Sequence, residues 1–276
     1  MNHKLGIIGG GFVGSATAWA FGPTHEVRIY DCEPKARTHS FEEVANCDFI
    51  FVCVPTPPSL DWTVDLSIVE KVLSDLKELV WADYQAVGRK PPIVLIKSTV
   101  LPGTCRKMSE KYGLNIVSNP EFLTERRAKW DFVNAAQILI GADDEPSATR
   151  VKELYQERFN SMKYTITDTT TSELIKYTIN CFFATKVSFM NEMKSITEKV
   201  GADWEKVVEG FTSDCRVGDS HVDVPGPDGS PGFGGKCFPK DLNGLTSFAK
   251  NMGLDTTMLT AAWEKNKSIR SAIMES

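Results

Sequence analysis

Cys237 lies in the segment Gly232-Phe233-Gly234-Gly235-Lys236-Cys237-Phe238-Pro239-Lys240-Asp241. Glycines let a substrate approach the sulfur, and the flanking Lys236 and Lys240 favour the thiolate, the nucleophilic form. Asp241 follows four residues on, so a helix starting at the cysteine puts both side chains on one face. Two other pairs share this spacing. Lys176 and Asn180 can point at one site, the lysine stabilising an oxyanion and the asparagine adding a hydrogen bond. The plain alternative for the lysine is a solvated helix face. Glu121 and Glu125, after Pro120, supply a general base for hydrolysis or are surface charges at a helix start. The remaining cysteines, Cys32, Cys47, Cys53, Cys105, Cys181 and Cys215, read as small buried hydrophobes.

A second constellation opens the chain. Gly9-x-Gly11-x-x-Gly14 falls between an apolar run and an Ala-rich helical segment. The first glycine permits a tight turn, the second lets a pyrophosphate reach the backbone, and the third lets helix pack on strand. A helix N-terminus adds amide donors and positive dipole. Asp31 ends the second apolar run, where a carboxylate bonds the adenosine ribose and repels a 2′-phosphate, which favours NAD over NADP. Lys35 and Arg37 nearby oppose that preference weakly. Thr56-Pro57 and Ser98-Thr99 follow later apolar runs, where ligands of doubly wound sheets bind; each hydroxyl serves a ligand or a turn. A thiolate near a carboxylate base and a bound nicotinamide is the equipment for aldehyde oxidation through a thiohemiacetal and a thioester.

These residues need a scaffold, and the hydropathy pattern supplies one. Apolar runs at Leu5–Ile8, Val27–Tyr30, Phe49–Val54, Ile93–Ile96, Ile116–Val117 and Ile138–Ile140 alternate with helical patterns such as Leu66–Leu79 and Ser147–Phe159. That alternation predicts βαβ units and a buried parallel sheet. From Thr171 to Val200 there is neither Pro nor Gly, which predicts one long helix. Thr170 or Thr171 would cap it, with Glu173 in the first turn and Gly201 at its end. Shorter helices are expected at Trp204–Phe211, Leu242–Met252 and Met258–Ile273. The expected organisation is an α/β domain over 1–170 and a helical domain over 171–276.

Composition narrows the function. Basic residues number 31 and acidic residues 36, a net charge of −5, which argues against a general nucleic-acid binder. No apolar run reaches membrane-spanning length, and the N-terminus lacks a signal-peptide plan. Seven scattered cysteines without a CxxC pair, and four separated histidines, predict neither a disulfide scaffold nor a metal site. A reducing cytoplasm is the expected setting.

In order along the chain, GIIGGGFVG, CVPTP, KSTVLPGT, SNPEFLTE, ELIKYTIN with ATKVSFMNE, and GFGGKCFPKD resemble the UDP-glucose/GDP-mannose dehydrogenase family from residue 6 to residue 241. The resemblance implies a Rossmann-like doubly wound parallel sheet followed by an all-α central dimerisation domain built on the long helix. It implies oxidation of the C6 alcohol of a nucleotide sugar to a carboxylate, with two NAD and one cysteine. Cys237 would be the nucleophile and Lys176 the oxyanion-stabilising group. Asp241 and Asn180 would hold the water or alcohol, and Thr99, Glu121 and Glu125 would complete the hydrolytic network. Gly9, Gly11, Phe12, Val13, Gly14, Asp31, Thr56, Thr99 and Lys240 would line the NAD site. Glu121, Phe122, Leu123, Lys176, Asn180, Phe233, Gly234 and Gly235 would meet the sugar. Arg216 would reach the substrate phosphate of a neighbouring subunit in a homodimer.

The sequence departs from the family pattern at Arg126, at Gln137 and in the short span from Asp31 to Asp48. The family's third domain, a second Rossmann-like unit that clasps the nucleotide, lies beyond the helix containing Asn266. The residues read here therefore do not choose the base, and UDP-glucose is the expectation on family frequency, with GDP-mannose as the alternative. Two other readings stand beside this one. One is a one-step hydroxyacid dehydrogenase similar in plan to 6-phosphogluconate dehydrogenase, which needs no cysteine. The other is a non-catalytic NAD-binding module, or one completed by a separate chain that supplies the third domain.

Overall fold

Uninterrupted apolar runs are what a sheet covered on both faces requires, and in the computed structural model they form the centre of one seven-stranded sheet. The structure describes residues 3–87 and 90–274. The chain divides into two compact units, Met1–Pro57 with Val64–Lys176, and Pro58–Thr63 with Tyr177–Ser276.

The first unit alternates strand and helix: β1 (Lys4–Ile8), α1 (Phe12–Phe21), β2 (Glu26–Tyr30), α2 (Phe41–Ala45), β3 (Phe49–Val52), α3 (Ser67–Val87), β4 (Ile93–Ile96), α4 (Thr104–Tyr112), β5 (Asn115–Ser118), α5 (Ala128–Val133), β6 (Ile138–Gly141), α6 (Glu145–Gln156) and β7 (Tyr164–Thr167). The strand order is β2-β1-β3-β4-β5-β6-β7. It reverses at β1, so the crevice for a ligand lies beyond the carboxyl ends of β1 and β3. Alternate residues of each strand feed two separate cores. Ile8, Ile50, Val52, Val94 and Ile96 pack in one; Leu5, Ile7, Phe49, Phe51, Ile93 and Leu95 pack in the other. A period of two on a sheet buried on both sides produces this division.

Two features differ from a uniformly parallel sheet. β5 and β6 are antiparallel, paired at Ser118 and Gly141, because the chain leaves β5 at its carboxyl end, runs through α5, which packs on α1, and re-enters the sheet from that same end. β7 joins as an edge strand parallel to β6; its mixed, part-exposed residues carry no apolar run to announce it.

The second unit contains α8 (Trp204–Thr212), α9 (Phe238–Asn251) and α10 (Thr257–Met274) together with most of α7 (Thr169–Lys199). Its core gathers Cys181, Ala184, Val187, Phe233, Leu242 and Ala262. The long helix is present, but its cap differs from the expected threonine. Asp168 accepts hydrogen bonds from the Thr171 backbone N–H and hydroxyl, and a carboxylate is the stronger acceptor for a helix N-terminus. At the other end Gly201 adopts φ +69°, and the Ala202 N–H returns to the Thr197 carbonyl at 3.0 Å. This is the left-handed glycine stop.

Candidate active site

At the end of β1, Gly9 takes φ +99°, and a Cβ there would lie 2.6 Å from the Cys53 carbonyl oxygen. A Cβ on Gly14 would fall 1.9 Å from the Gly9 oxygen. The protein itself therefore requires both glycines. Gly11 differs: a Cβ there meets nothing within 4 Å, and no side chain caps the helix it opens. The first helical bond runs from the Ser15 N–H to the Gly11 carbonyl, so the amides of Phe12, Val13 and Gly14 have no acceptor within the helix. An open glycine before unpartnered amides is a cradle that fits a pyrophosphate.

Asp31, just past β2, accepts from the N–H groups of Gly10 at 2.5 Å and Glu33 at 2.8 Å. Burial alone would raise its pKa. The two backbone donors outweigh burial and hold the carboxyl below its ordinary value, so the charge that would meet a ribose is kept. Thr56 is buried and donates to the Thr99 carbonyl, and Ser98 donates to the Val54 carbonyl at 2.6 Å. Both hydroxyls thus tie the ends of β3 and β4 together, and Thr99 stays half-buried beside them.

Lys176 is not on a solvated face. It is buried, donates from Nζ to the Glu121 backbone oxygen, and lies 3.5 Å from the Glu121 carboxylate. The Phe122 ring stands 5.1 Å from the same ammonium. Glu121 also accepts from the Leu123 N–H. The helical spacing expected for Glu121 and Glu125 is absent. Residues 119–124 form an irregular loop, Glu125 starts a single 3₁₀ turn, and its side chain is exposed while Glu121 is buried. The Glu121 carboxylate instead closes a backbone turn on the Leu123 N–H, which takes the place of a helical start.

In the second unit, Cys237 is the N-cap of α9 and exposed. The Asp241 N–H donates to the Cys237 carbonyl at 2.8 Å, so the expected helix does begin at the cysteine. The Asp241 carboxylate is buried and held on both oxygens, by Asn180 Nδ2 and by Lys240 Nζ, each at 2.5 Å. Lys240 thus pairs with the adjacent buried carboxylate, as a buried charge requires a counter-ion. Phe233 is buried, and Gly234 is half-buried. Arg216 is exposed and paired with Asp214.

Sequence reasoning missed two buried ions in the first unit. Lys97, at the end of β4, donates to the Asn119 backbone and side-chain oxygens at 3.1 and 3.0 Å and approaches the Tyr155 hydroxyl. Burial brings its pKa down to about 8. A lysine directly after a fully apolar strand was the available signal. Glu173 was expected to act on its own helix. Instead it is buried and accepts from the N–H groups of Gly103 and Cys105 at the start of α4. Burial raises its pKa despite those donors. Among the other cysteines, Cys47, Cys105 and Cys181 are buried, but Cys32 and Cys215 are exposed. Both lie in turns that no core element covers.

Comparison with known proteins bears on these features directly. The family model for the NAD binding domain of the UDP-glucose/GDP-mannose dehydrogenase family matches residues 33–159, and the model for that family's central domain matches residues 170–268. The UDP-glucose 6-dehydrogenase of Rickettsia bellii is 35% identical over 240 residues, covering 85% of this chain and 52% of the relative. A UDP-glucose 6-dehydrogenase of Bacillus subtilis is 34% identical over 245 residues, covering 86% and 52%. Among solved structures, a UDP-glucose dehydrogenase from Pyrobaculum islandicum superposes with TM-score 0.86 at 30% identity, covering 97% of this chain and 68% of that one. The chain spans about half the length of the curated relatives it matches. No described helix is long and apolar enough to cross a membrane.

Proposed function

This chain belongs to the UDP-glucose/GDP-mannose dehydrogenase family and carries its NAD binding domain, and on that premise we propose that it oxidises the C6 alcohol of a nucleotide sugar, UDP-glucose first, to the carboxylate. The observation that carries the proposal is the exposed Cys237 at the head of α9, one turn before a buried Asp241 that Asn180 and Lys240 hold.

NAD supplies the hydride acceptor for both oxidations. The alcohol first loses a hydride and a proton to give the aldehyde. The Cys237 thiolate then adds to C6, forming a C–S bond, and the carbonyl oxygen takes a proton to complete the thiohemiacetal. Loss of that proton and a second hydride leaves a thioester. Water cleaves the C–S bond, releasing carboxylate and thiol. The sum is one alcohol, one water and two NAD giving one carboxylate, two NADH and three protons. Lys176, held by the Glu121 carbonyl, is the oxyanion partner and proton carrier. Asn180 and Asp241 orient the water, with Glu121 and Thr99 completing the network. Gly11, the first turn of α1 and Asp31 hold the dinucleotide. The thiol must stay reduced, which suits a cytoplasmic setting.

We also assign a homodimer to the exposed stripe Phe182, Phe189 and Ile196 on α7, which are 60%, 50% and 48% exposed. A second copy laid along the same stripe would cover it. The test of function is NADH formation from NAD with UDP-glucose or GDP-mannose, run beside Cys237→Ala. Two NADH per sugar, lost in the variant, supports the four-electron reaction. NAD binding without NADH from either sugar would overturn it in favour of a module that needs a separate chain.

A further inference from the structure

The glycine-rich segment before Cys237 invites the reading that its glycines make room for substrate. The geometry around two of them is different. A Cβ on Gly232 would lie 2.5 Å from Asn266 Oδ1, and a Cβ on Gly234 would lie 3.1 Å from Arg270 Nη1. Two side chains of α10 fill that space. Asn266 is buried and bonds the Phe233 peptide at both ends: its Oδ1 accepts from the Phe233 N–H at 2.7 Å, and its Nδ2 donates to the Phe233 carbonyl at 3.0 Å. From α7, buried Asn191 accepts the Gly232 N–H at 3.0 Å on Oδ1 and anchors its own Nδ2 on the Val187 carbonyl. Arg270 Nη2 donates to the Gly232 carbonyl at 3.1 Å and pairs with Asp228 at 2.8 Å. Ser188 joins the two helices by donating to the Ala262 carbonyl. Gly235 has open space around its missing Cβ but takes φ +75°, so it serves the turn.

We infer that Asn191, Asn266 and Arg270 are positioning residues that fix the backbone of Gly232–Gly234 and thereby hold the Cys237 thiol at the N-terminus of α9. An amide is suited to this, because one side chain satisfies both the N–H and the C=O of a buried residue that no strand or helix pairs. Gly232 and Gly234 are then demanded by the clamp, not by substrate. The thiol's role rests on the function proposed above, but the clamp itself is read without turnover.

The test is alkylation of the whole chain with iodoacetamide across pH, followed peptide by peptide by mass spectrometry. Exposed Cys32 and Cys215 serve as reference thiols. A thiol held at a helix start gains about 0.3–1 kcal/mol for its anion. Releasing the loop should therefore raise the Cys237 midpoint by about 0.2–0.7 pH units, with both references unmoved. Asn266→Ala and Arg270→Met are expected to show this shift, and Arg270→Lys, which keeps a donor for the Gly232 carbonyl, to recover part of it. Should Asn266→Ala fail to fold, Gly234→Ala displaces the guanidinium from the Gly232 carbonyl while leaving both Asn266 hydrogen bonds in place, and is expected to give the same shift. A Cys237 midpoint equal to wild type in folded Gly234→Ala and Arg270→Met would overturn the clamp. A normal clamp in a chain that yields no NADH would instead count against the proposed reaction alone.

Discussion

Replacing Lys97 with Met tests whether the first unit carries a buried charge at a cost to stability. Lys97 is 4% exposed, and its hydrogen-bond acceptors are Asn119 and Tyr155. Burial lowers its pKa from 10.5 to about 8. At about 1.36 kcal/mol per unit, the folded state then gives up about 3 kcal/mol at neutral pH to keep the ammonium protonated. The native chain releases this proton at lower pH than the unfolded chain does. Between about pH 8 and 10.5 the unfolded state binds more protons, so stability rises with pH across that window. The wild-type chain should gain almost nothing on Lys97→Met between pH 6 and 7, then gain about 2 kcal/mol between about pH 7 and 9.5. The difference between the two proteins isolates Lys97 from the other alkaline groups. Methionine matches the stem but leaves the Asn119 and Tyr155 oxygens without this donor, an offset of about 1–3 kcal/mol that does not vary with pH. Urea melts followed by circular dichroism at four pH values measure the difference. A gap that stays constant to within about 0.5 kcal/mol from pH 6 to 9.5 would refute the reasoning, since it would mean that the folded ammonium keeps its ordinary affinity for the proton.

Three shorter predictions follow from the same geometry. Asp31→Ala removes a charged acceptor and unpins Gly10; NAD affinity measured by calorimetry should fall at least about tenfold, from about 1.5–3 kcal/mol for a hydrogen bond to a charged group, and an unchanged affinity would discard Asp31 as a cofactor ligand. Glu173→Ala strips the acceptor from the N–H groups of Gly103 and Cys105; urea unfolding should show a loss of about 2–5 kcal/mol, and a loss below about 1 kcal/mol would mean that water replaces the carboxylate. Phe182→Glu combined with Phe189→Glu should convert the proposed dimer to monomer in sedimentation, with helicity retained, because two charges cannot be buried without partners; a dimer that persists would place the interface elsewhere.

The central strands were legible because a sheet buried on both faces leaves no choice of residue: β3 and β4 are apolar at every position. The glycine turn was legible for a local reason, since Gly9 takes a left-handed φ and a Cβ on Gly14 would fall 1.9 Å from the Gly9 oxygen, five residues away. What escaped reading depends on side-chain partners, two of them far away in sequence and two close by. Lys97 is buried because Asn119 from the end of β5 and Tyr155 from α6 meet it. Glu173 lies in the first turn of its helix, as expected, but its acceptor strength is spent on α4. Lys240 flanks the thiol in sequence, yet the neighbouring buried Asp241 captures it. The Glu121–Glu125 spacing suggested a helix that the turn at Glu121 denies. In each case the residue type was informative and its partner was not, because a long charged side chain reaches whichever ion or dipole tertiary packing brings near.

Helix α7 shows why site and fold cannot be separated in this chain. An ordinary surface helix turns apolar residues inward and charge outward. Here Glu173, Lys176, Asn180, Lys186, Ser188 and Asn191 are buried alongside the apolar Tyr177, Cys181, Ala184, Val187 and Met190, while Phe182, Phe189 and Ile196 are exposed. Burying so many polar groups is unfavourable unless every one has a partner, and each of these does: α4 amides for Glu173, the Glu121 carbonyl for Lys176, Asp241 for Asn180, the carbonyls of Val217, Gly218 and Ser220 for Lys186, Ala262 for Ser188, and Gly232 for Asn191. No argument from packing alone selects this pattern, since apolar residues of similar volume would serve a core at least as well. The buried polar groups are explained if they hold chemistry in place. The outward apolar face is explained if another surface covers it. One helix that buries partnered polar groups among its core residues and leaves an apolar stripe outside thus bears on both proposals, reaction and dimer.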